Sequence, residues 1–365
     1  MSFSVNHIKS AFISVKKALT PLSLDLKIFF TGNSYKATVL KKKTPYYQPQ
    51  PGATDPTQCN GCGVCMLSCP VWHQHHTKAL TYCGRTRALI GGADEEDLAP
   101  AARGCILCGS CEPLCPMGIR TQEATIRLRK NLSARGFLPK PIIQPHAHVA
   151  GKASSHIVIP GMQLRANASL SASVLALLGP KAGLHSDDGY DILLTLESGQ
   201  EMNDERLEGF IAPLAKAVEI VVADGLLFNV LRSLLPSSIR VRPLGQALLA
   251  NPKVRAGLRP TDLYMIETRA YNANRRDFVK GYDALRQETG CSMNLDLQRV
   301  ATPTGAACMQ HREGLATIIS IEEQVKWILE GRNPERIVVE SLDDYEAFTT
   351  HTKLPIVHLA EVAKP

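Results

Sequence analysis

Cys59-Asn-Gly-Cys62-Gly-Val-Cys65-Met-Leu-Ser-Cys69-Pro70 and Cys105-Ile-Leu-Cys108-Gly-Ser-Cys111-Glu-Pro-Leu-Cys115-Pro116 are two copies of one pattern, C-x2-C-x2-C-x3-C-P. Cysteines three apart in a tight, irregular turn can aim three thiolates at three corners of one iron–sulfur cube, while the fourth points away and is free for a neighbour. Gly61, Gly63, Gly104 and Gly109 permit backbone that would strain other residues and bring N–H groups toward sulfur. The repeat predicts two [4Fe-4S] clusters. Zinc normally takes two well-separated pairs into one tetrahedron, which three close cysteines plus Cys-Pro fit poorly. A disulfide framework suits a long chain poorly when no secretory signal is seen and eight of eleven cysteines fall in this one pattern.

The rest of the composition is unremarkable until charge is located. The 365 residues carry a net charge of +7, and residues 1–50 hold eight lysines against one acid, Asp25, so they carry the whole excess. A basic arm on a neutral body argues for docking onto an anionic partner or a membrane surface, and against a DNA-reading fold. Between Val5 and Phe30, Ile8, Phe12, Val15 and Leu19 recur at helical spacing among Lys9, Lys16 and Lys17, which predicts an amphipathic helix before Pro21. The alternative is a terminal extension covering the body's own surface. The lysines interrupt any signal-peptide core. Ala166 to Pro180, the longest uncharged stretch beyond the cysteine runs, is too short to span a bilayer. The expected location is cytoplasmic, with peripheral attachment at the inner face of the membrane through the arm.

Three segments follow: the basic arm and linker over 1–54, a two-cluster region over 55–145 and an α/β region over 150–365. A proline- and glutamine-rich linker, Pro45 to Pro56, leads to the first run. The 35 residues between the runs suit helices that buttress the cluster loops, and Thr121 to Leu132 reads as a basic helix carrying Ile126 and Leu128. Pro139 to Pro145 then closes the domain. His73, His75 and His76 sit just past a cluster loop, where solvated or packing roles are commoner than ligation. Cys83 is surplus and reads as a small buried apolar residue.

Beyond residue 150, apolar segments read as strands at Ile157–Ile159, Ile192–Leu196, Glu219–Ala223, Ile239–Val241, Leu263–Ile266 and Ile337–Val339. They alternate with helical patterns over Asn203–Val218, Leu226–Leu235, Arg275–Thr289 and Ile321–Gly331. The fold class expected is α+β: an N-terminal helical ferredoxin domain with two [4Fe-4S] clusters, then a doubly wound α/β domain with a mainly parallel sheet. There is no G-x-G-x-x-G after a strand, no phosphate-binding P-loop, no H-E-x-x-H and no G-x-S-x-G, so no nucleotide or catalytic motif is found.

This layout resembles the iron–sulfur subunits related to heterodisulfide reductase, to anaerobic glycerol-3-phosphate dehydrogenase and to the lactate- and glycolate-oxidising complexes. The motifs carrying the likeness lie in residues 55–145, helped by the closing Pro355-Ile-Val-His-Leu-Ala. Two-cluster ferredoxins further imply cross-ligation, with Cys59, Cys62, Cys65 and Cys115 on one cube and Cys105, Cys108, Cys111 and Cys69 on the other. The departure from the family is the lack of any Cys-Cys pair, leaving only Cys291 and Cys308 in the C-terminal half. A catalytic cluster is therefore not expected there, and two isolated buried cysteines are commoner than a redox pair. The resemblance implies a non-catalytic electron-transfer subunit, heterodisulfide reductase-like and linked to sulfur metabolism, whose partners are other subunits of a redox complex and not nucleic acid. A self-contained oxidoreductase holding substrate or flavin in the α/β domain, such as a hydroxyacid dehydrogenase component, is the alternative.

Overall fold

A computed structural model describes residues 59–139, 154–296 and 299–363. The basic arm, its predicted helix and its linker lie outside the described residues, as does the segment Pro139 to Pro145 beyond its first residue.

The regular elements of the cysteine-rich part, among its described residues, are all helices. Short helices Pro70–His75, Tyr82–Ile90 and Ala99–Gly104 join the two runs, and Thr121–Ala134 follows the second. Pro70 opens its helix at the position where a missing N–H costs nothing. The Thr81 hydroxyl caps the next helix by accepting the Gly84 N–H at 3.1 Å. Gly84 is required there, because a Cβ would fall 1.8 Å from the Lys78 carbonyl oxygen.

The strands after residue 154 form two four-stranded parallel sheets instead of one. β1 (His156–Ile159), β2 (Ala182–Leu184), β3 (Glu219–Val222) and β4 (Arg240–Pro243) lie in the order β2-β1-β3-β4. The second sheet takes β5 (Asp262–Met265) and β6 (Ser292–Met293). After a small hairpin of β7 (Leu295–Asp296) and β8 (Val300–Ala301), it adds β9 (Arg336–Val339) and β10 (Ile356–His358). Its order is β6-β5-β9-β10, so both sheets share one topology. β4 ends the first sheet because Arg240 is exposed and Pro243 has no N–H to offer a further strand.

β3, β5 and β9 each bury three successive apolar residues, at 220–222, 263–265 and 337–339, as strands of a parallel sheet covered on both faces do. Each leads into a helix whose first residue is capped by a carboxylate or hydroxyl. Asp224 accepts from Leu226 and Leu227 N–H, Glu267 from Arg269 and Ala270, and Ser341 from Asp343. Register places Asp262 opposite Arg336, and the two side chains pair at 2.6 Å.

The segment Ile192–Leu196, expected as a strand, is the middle of a helix, Tyr190–Ser198. A short apolar run carries no period of its own when the element is buried on every side. Here Gly189 and Gly199, at φ +69° and +72°, close both ends, and only helix satisfies the backbone between them. The helices at Asp204–Leu214, Gly225–Leu234, Arg275–Thr289 and Ile321–Leu329 fall where periodicity put them.

The cysteine-rich part shares its core with the second lobe. Val71 and Ile106 pack in one cluster with Leu263, Met265, Ile337 and Val339. His73 stacks on Trp327 with ring centroids 4.0 Å apart, while Gln74 and Ser320 exchange two hydrogen bonds at 2.9 and 2.7 Å. His75 bonds the Ile318 carbonyl. Two of the three histidines past the first run therefore dock the helix Pro70–His75.

Candidate metal centre

The two cysteine loops share one backbone path. Gly61 and Gly63 in the first have φ +78° and +77°, and Leu107 and Gly109, at the same places in the second, have +53° and +72°. This path turns N–H groups onto sulfur two residues back, from Gly61 to Cys59, from Leu107 to Cys105 and from Ser110 to Cys108. Cys69 caps its helix and receives the Trp72 and Val71 N–H groups. Gly104 has a different role from the other glycines of the runs, since a Cβ there would collide with Ile318 Cδ1 at 2.2 Å.

The thiols of the two runs intermingle. Cys65 interacts electrostatically with Cys83, Cys115, Cys69 and Cys59, and Cys69 with Cys105. Cys108 interacts with Cys69 and Cys105, and Cys111 with Cys65, Cys108 and Cys105. Cys65, Cys69, Cys105, Cys108 and Cys111 line a common cavity. Cys62 is exposed. Cys83 is buried, as its reading as a small apolar residue requires, and lies near Cys59 and Cys65.

Burial, followed by the charge of neighbouring thiols, pushes Cys65 up to about 12. Burial likewise pushes Cys108 to about 12 and Cys111 well above 9.0. At Cys105 burial acts the same way but is outweighed by the guanidiniums of Arg85 and Arg129, which hold that thiol below 9.0. Burial of this many thiols disfavours their joint ionisation, and a cationic metal cluster would offset that.

Three further observations fit a bound cluster. The Tyr82 hydroxyl lines the cavity, is buried and has no partner at hydrogen-bond geometry, with Thr86 only nearby. Cluster sulfur is an acceptor of the kind it lacks. The Thr121 hydroxyl stands 2.7 Å from Cys111 Sγ. Arg85 and Arg129 are buried and bonded to uncharged oxygens, as would suit an anionic occupant. When bound, a [4Fe-4S] cluster supplies one-electron transfer.

The second loop is anchored by the lobes. Asn272 Nδ2 donates to the carbonyls of Cys108 and Ala301 at 3.1 and 3.0 Å, and Gln122 Nε2 donates to the Leu107 carbonyl at 2.8 Å. Leu107 packs on Leu193 and Leu226. Arg129 bonds the Glu197 carbonyl, and the Glu197 carboxylate starts a buried ionic chain through Arg269, Asp224 and Arg312 to Asp343, with every link between 2.5 and 2.8 Å. At Asp224 burial is outweighed by Arg269 and Arg312, so its carboxyl is held below the usual range. Cys291 and Cys308 pack in different core clusters, each buried and free.

Residues 58–120 match the family model described as a 4Fe-4S dicluster domain. No curated protein and no solved structure matches the chain. The chain is thus an iron–sulfur protein that binds 4Fe–4S cluster and has electron transfer as its chemistry. No helix among the described residues is long and apolar enough to cross a membrane.

Proposed function

We propose that this chain carries two [4Fe-4S] clusters in relay within a multi-subunit redox complex, passing electrons between a flavin- or cluster-bearing partner and a catalytic subunit. Cys59, Cys62, Cys65 and Cys115 hold one, and Cys69, Cys105, Cys108 and Cys111 the other. The observation carrying this reading is the mixing of the runs, in which Cys69 lies among thiols of the second run and Cys65 within reach of Cys115. The exposure of Cys62 supports a first site at the surface, where a donor or acceptor can approach. The lobes, each with one doubly wound topology, support the second site through Asn272 and Leu107 and serve as the docking body. A heterodisulfide reductase-like complex is the assembly proposed, with the basic arm as part of the attachment. Anaerobically purified protein should contain close to eight iron and eight acid-labile sulfide per chain; stoichiometric zinc without sulfide would overturn the reading.

One feature favours a second reading, in which the chain is itself a catalyst. A cleft opens where strands of both sheets end, lined by Gly161, Tyr190, Asp224, Arg312, Ser341 and His358. Parallel sheets bind ligands at such ends. Stoichiometric flavin, or turnover by the isolated chain, would favour it.

A further inference from the structure

Arg85 and Arg129 come from separate helices, Tyr82–Ile90 and Thr121–Ala134; Arg85 lines the cavity beside Cys105, and Arg129 reaches the Cys105 carbonyl. Both are nearly fully buried, at 3% and 2% exposure. Arg85 donates to the Ala101 carbonyl and the Thr125 hydroxyl, and its guanidinium lies over the Tyr82 ring. Arg129 spreads over the carbonyls of Ala102, Arg103, Cys105 and Glu197. Among the described residues neither forms an ion pair: the Glu197 carboxylate is taken by Arg269 and the Met309 N–H. Two buried cations with no carboxylate partner are costly, and counter-charge in the adjoining thiol-lined cavity offsets that cost. Around the first set of thiols the corresponding cation is Arg87, which is exposed and bonds the Cys59 carbonyl.

We infer that Arg85 and Arg129 are positioning residues for the anionic cluster at Cys69, Cys105, Cys108 and Cys111, and that their charge sets its reduction potential above that of the cluster at Cys59, Cys62, Cys65 and Cys115. Electrons arriving at the surface site then collect at the buried one. Reduction adds one negative charge, which burial disfavours and adjacent guanidiniums favour. The one carboxyl within the second run, Glu112, has Arg120 beside it and accepts the Gln122 N–H. This inference rests on the two-cluster function proposed above.

The test is an electron-paramagnetic-resonance redox titration of the full chain, with iron and sulfide counted first and the second-site signal assigned by its loss in Cys108→Ser. In the native protein that signal should appear first on reduction. Arg85→Gln should lower the reduced-to-oxidised ratio of that signal about tenfold at fixed potential, equivalent to ~59 mV for one electron, and leave the other signal in place. Arg85→Lys, which keeps charge but cannot span both oxygens, should titrate like the native protein. Equal shifts at both sites, no shift, or a Lys variant as altered as the Gln variant would overturn the inference. If Arg85→Gln fails to load the second cluster, loading by Arg85→Lys supports the assignment and failure of both overturns it. Absence of iron and sulfide from the native chain would instead defeat the proposed function.

Discussion

Leu107 occupies in the second cysteine loop the place that Gly61 occupies in the first, and both hold left-handed backbone, at φ +53° and +78°. A side chain there costs about 1–2 kcal/mol. Burying Leu107 against Leu193 and Leu226 returns about 1.5–3 kcal/mol, enough to keep the residue in that conformation. The first loop has no such neighbours and uses glycine.

Leu107→Ala should therefore keep the strain and lose the anchor, destabilising the protein by about 2–5 kcal/mol. Leu107→Gly loses the same anchor but relieves the strain, and that relief exceeds the roughly 0.5–1 kcal/mol entropic cost of glycine. Chemical denaturation should rank the variants native, then Gly, then Ala. Ala above Gly would show that the left-handed backbone is not what limits this position.

Cross-ligation gives a prediction that separates the runs. Cys115→Ser should disturb the cluster at Cys59, Cys62 and Cys65, and Cys69→Ser the one at Cys105, Cys108 and Cys111. Spectra in which each substitution perturbs only its own run would refute the exchange of fourth ligands.

Arg269 joins Glu197 and Asp224 in the buried ionic chain, each at 2.5 Å. Arg269→Met leaves buried carboxylates short of a partner and should cost about 3–5 kcal/mol in denaturant unfolding. Arg232→Met, breaking an exposed pair with Asp277, should cost under about 1 kcal/mol. Similar losses from both would mean that burial does not govern these pairs.

Asp344 is pushed up to about 7 by burial, which outweighs the hydrogen bond it accepts from Thr304 at 2.6 Å. In the folded protein the carboxyl holds its proton to higher pH than in the unfolded chain. Its contribution is thus full below about pH 3.8 and is lost as pH rises toward 7, by up to roughly 1.4 kcal/mol per unit. Asp344→Asn should remove this decline and raise the melting temperature most at pH 7 and above. A melting curve with unchanged pH dependence would contradict it.

Much of this structure was legible in the residues, and the failures have physical causes. Helix Arg275–Thr289 has bounds readable from periodicity because one face alone is buried, through Phe278, Tyr282 and Leu285. Tyr190–Ser198 was not readable, since burial on all sides erases the helical period. Two sheets in place of one could have been found by comparing Glu219-Ile-Val-Val-Ala-Asp224 with Arg336-Ile-Val-Val-Glu-Ser341, equivalent strands followed by equivalent caps. The cysteine spacing pointed to the metal centre, whereas Tyr82, Arg85 and Arg129 reach it only by tertiary folding. Nothing in their local sequence separates these arginines from solvated ones.

Asn272 and Ala301, which hold the second cysteine loop, follow it by well over a hundred positions. During synthesis the second run therefore leaves the ribosome long before the surfaces that give it shape exist, while the first loop takes its turn from its own glycines. Iron that arrives before the C-terminal lobe has folded would meet a second loop without the contacts that shape it, and a first site whose proposed fourth ligand, Cys115, lies on that same loop would wait with it.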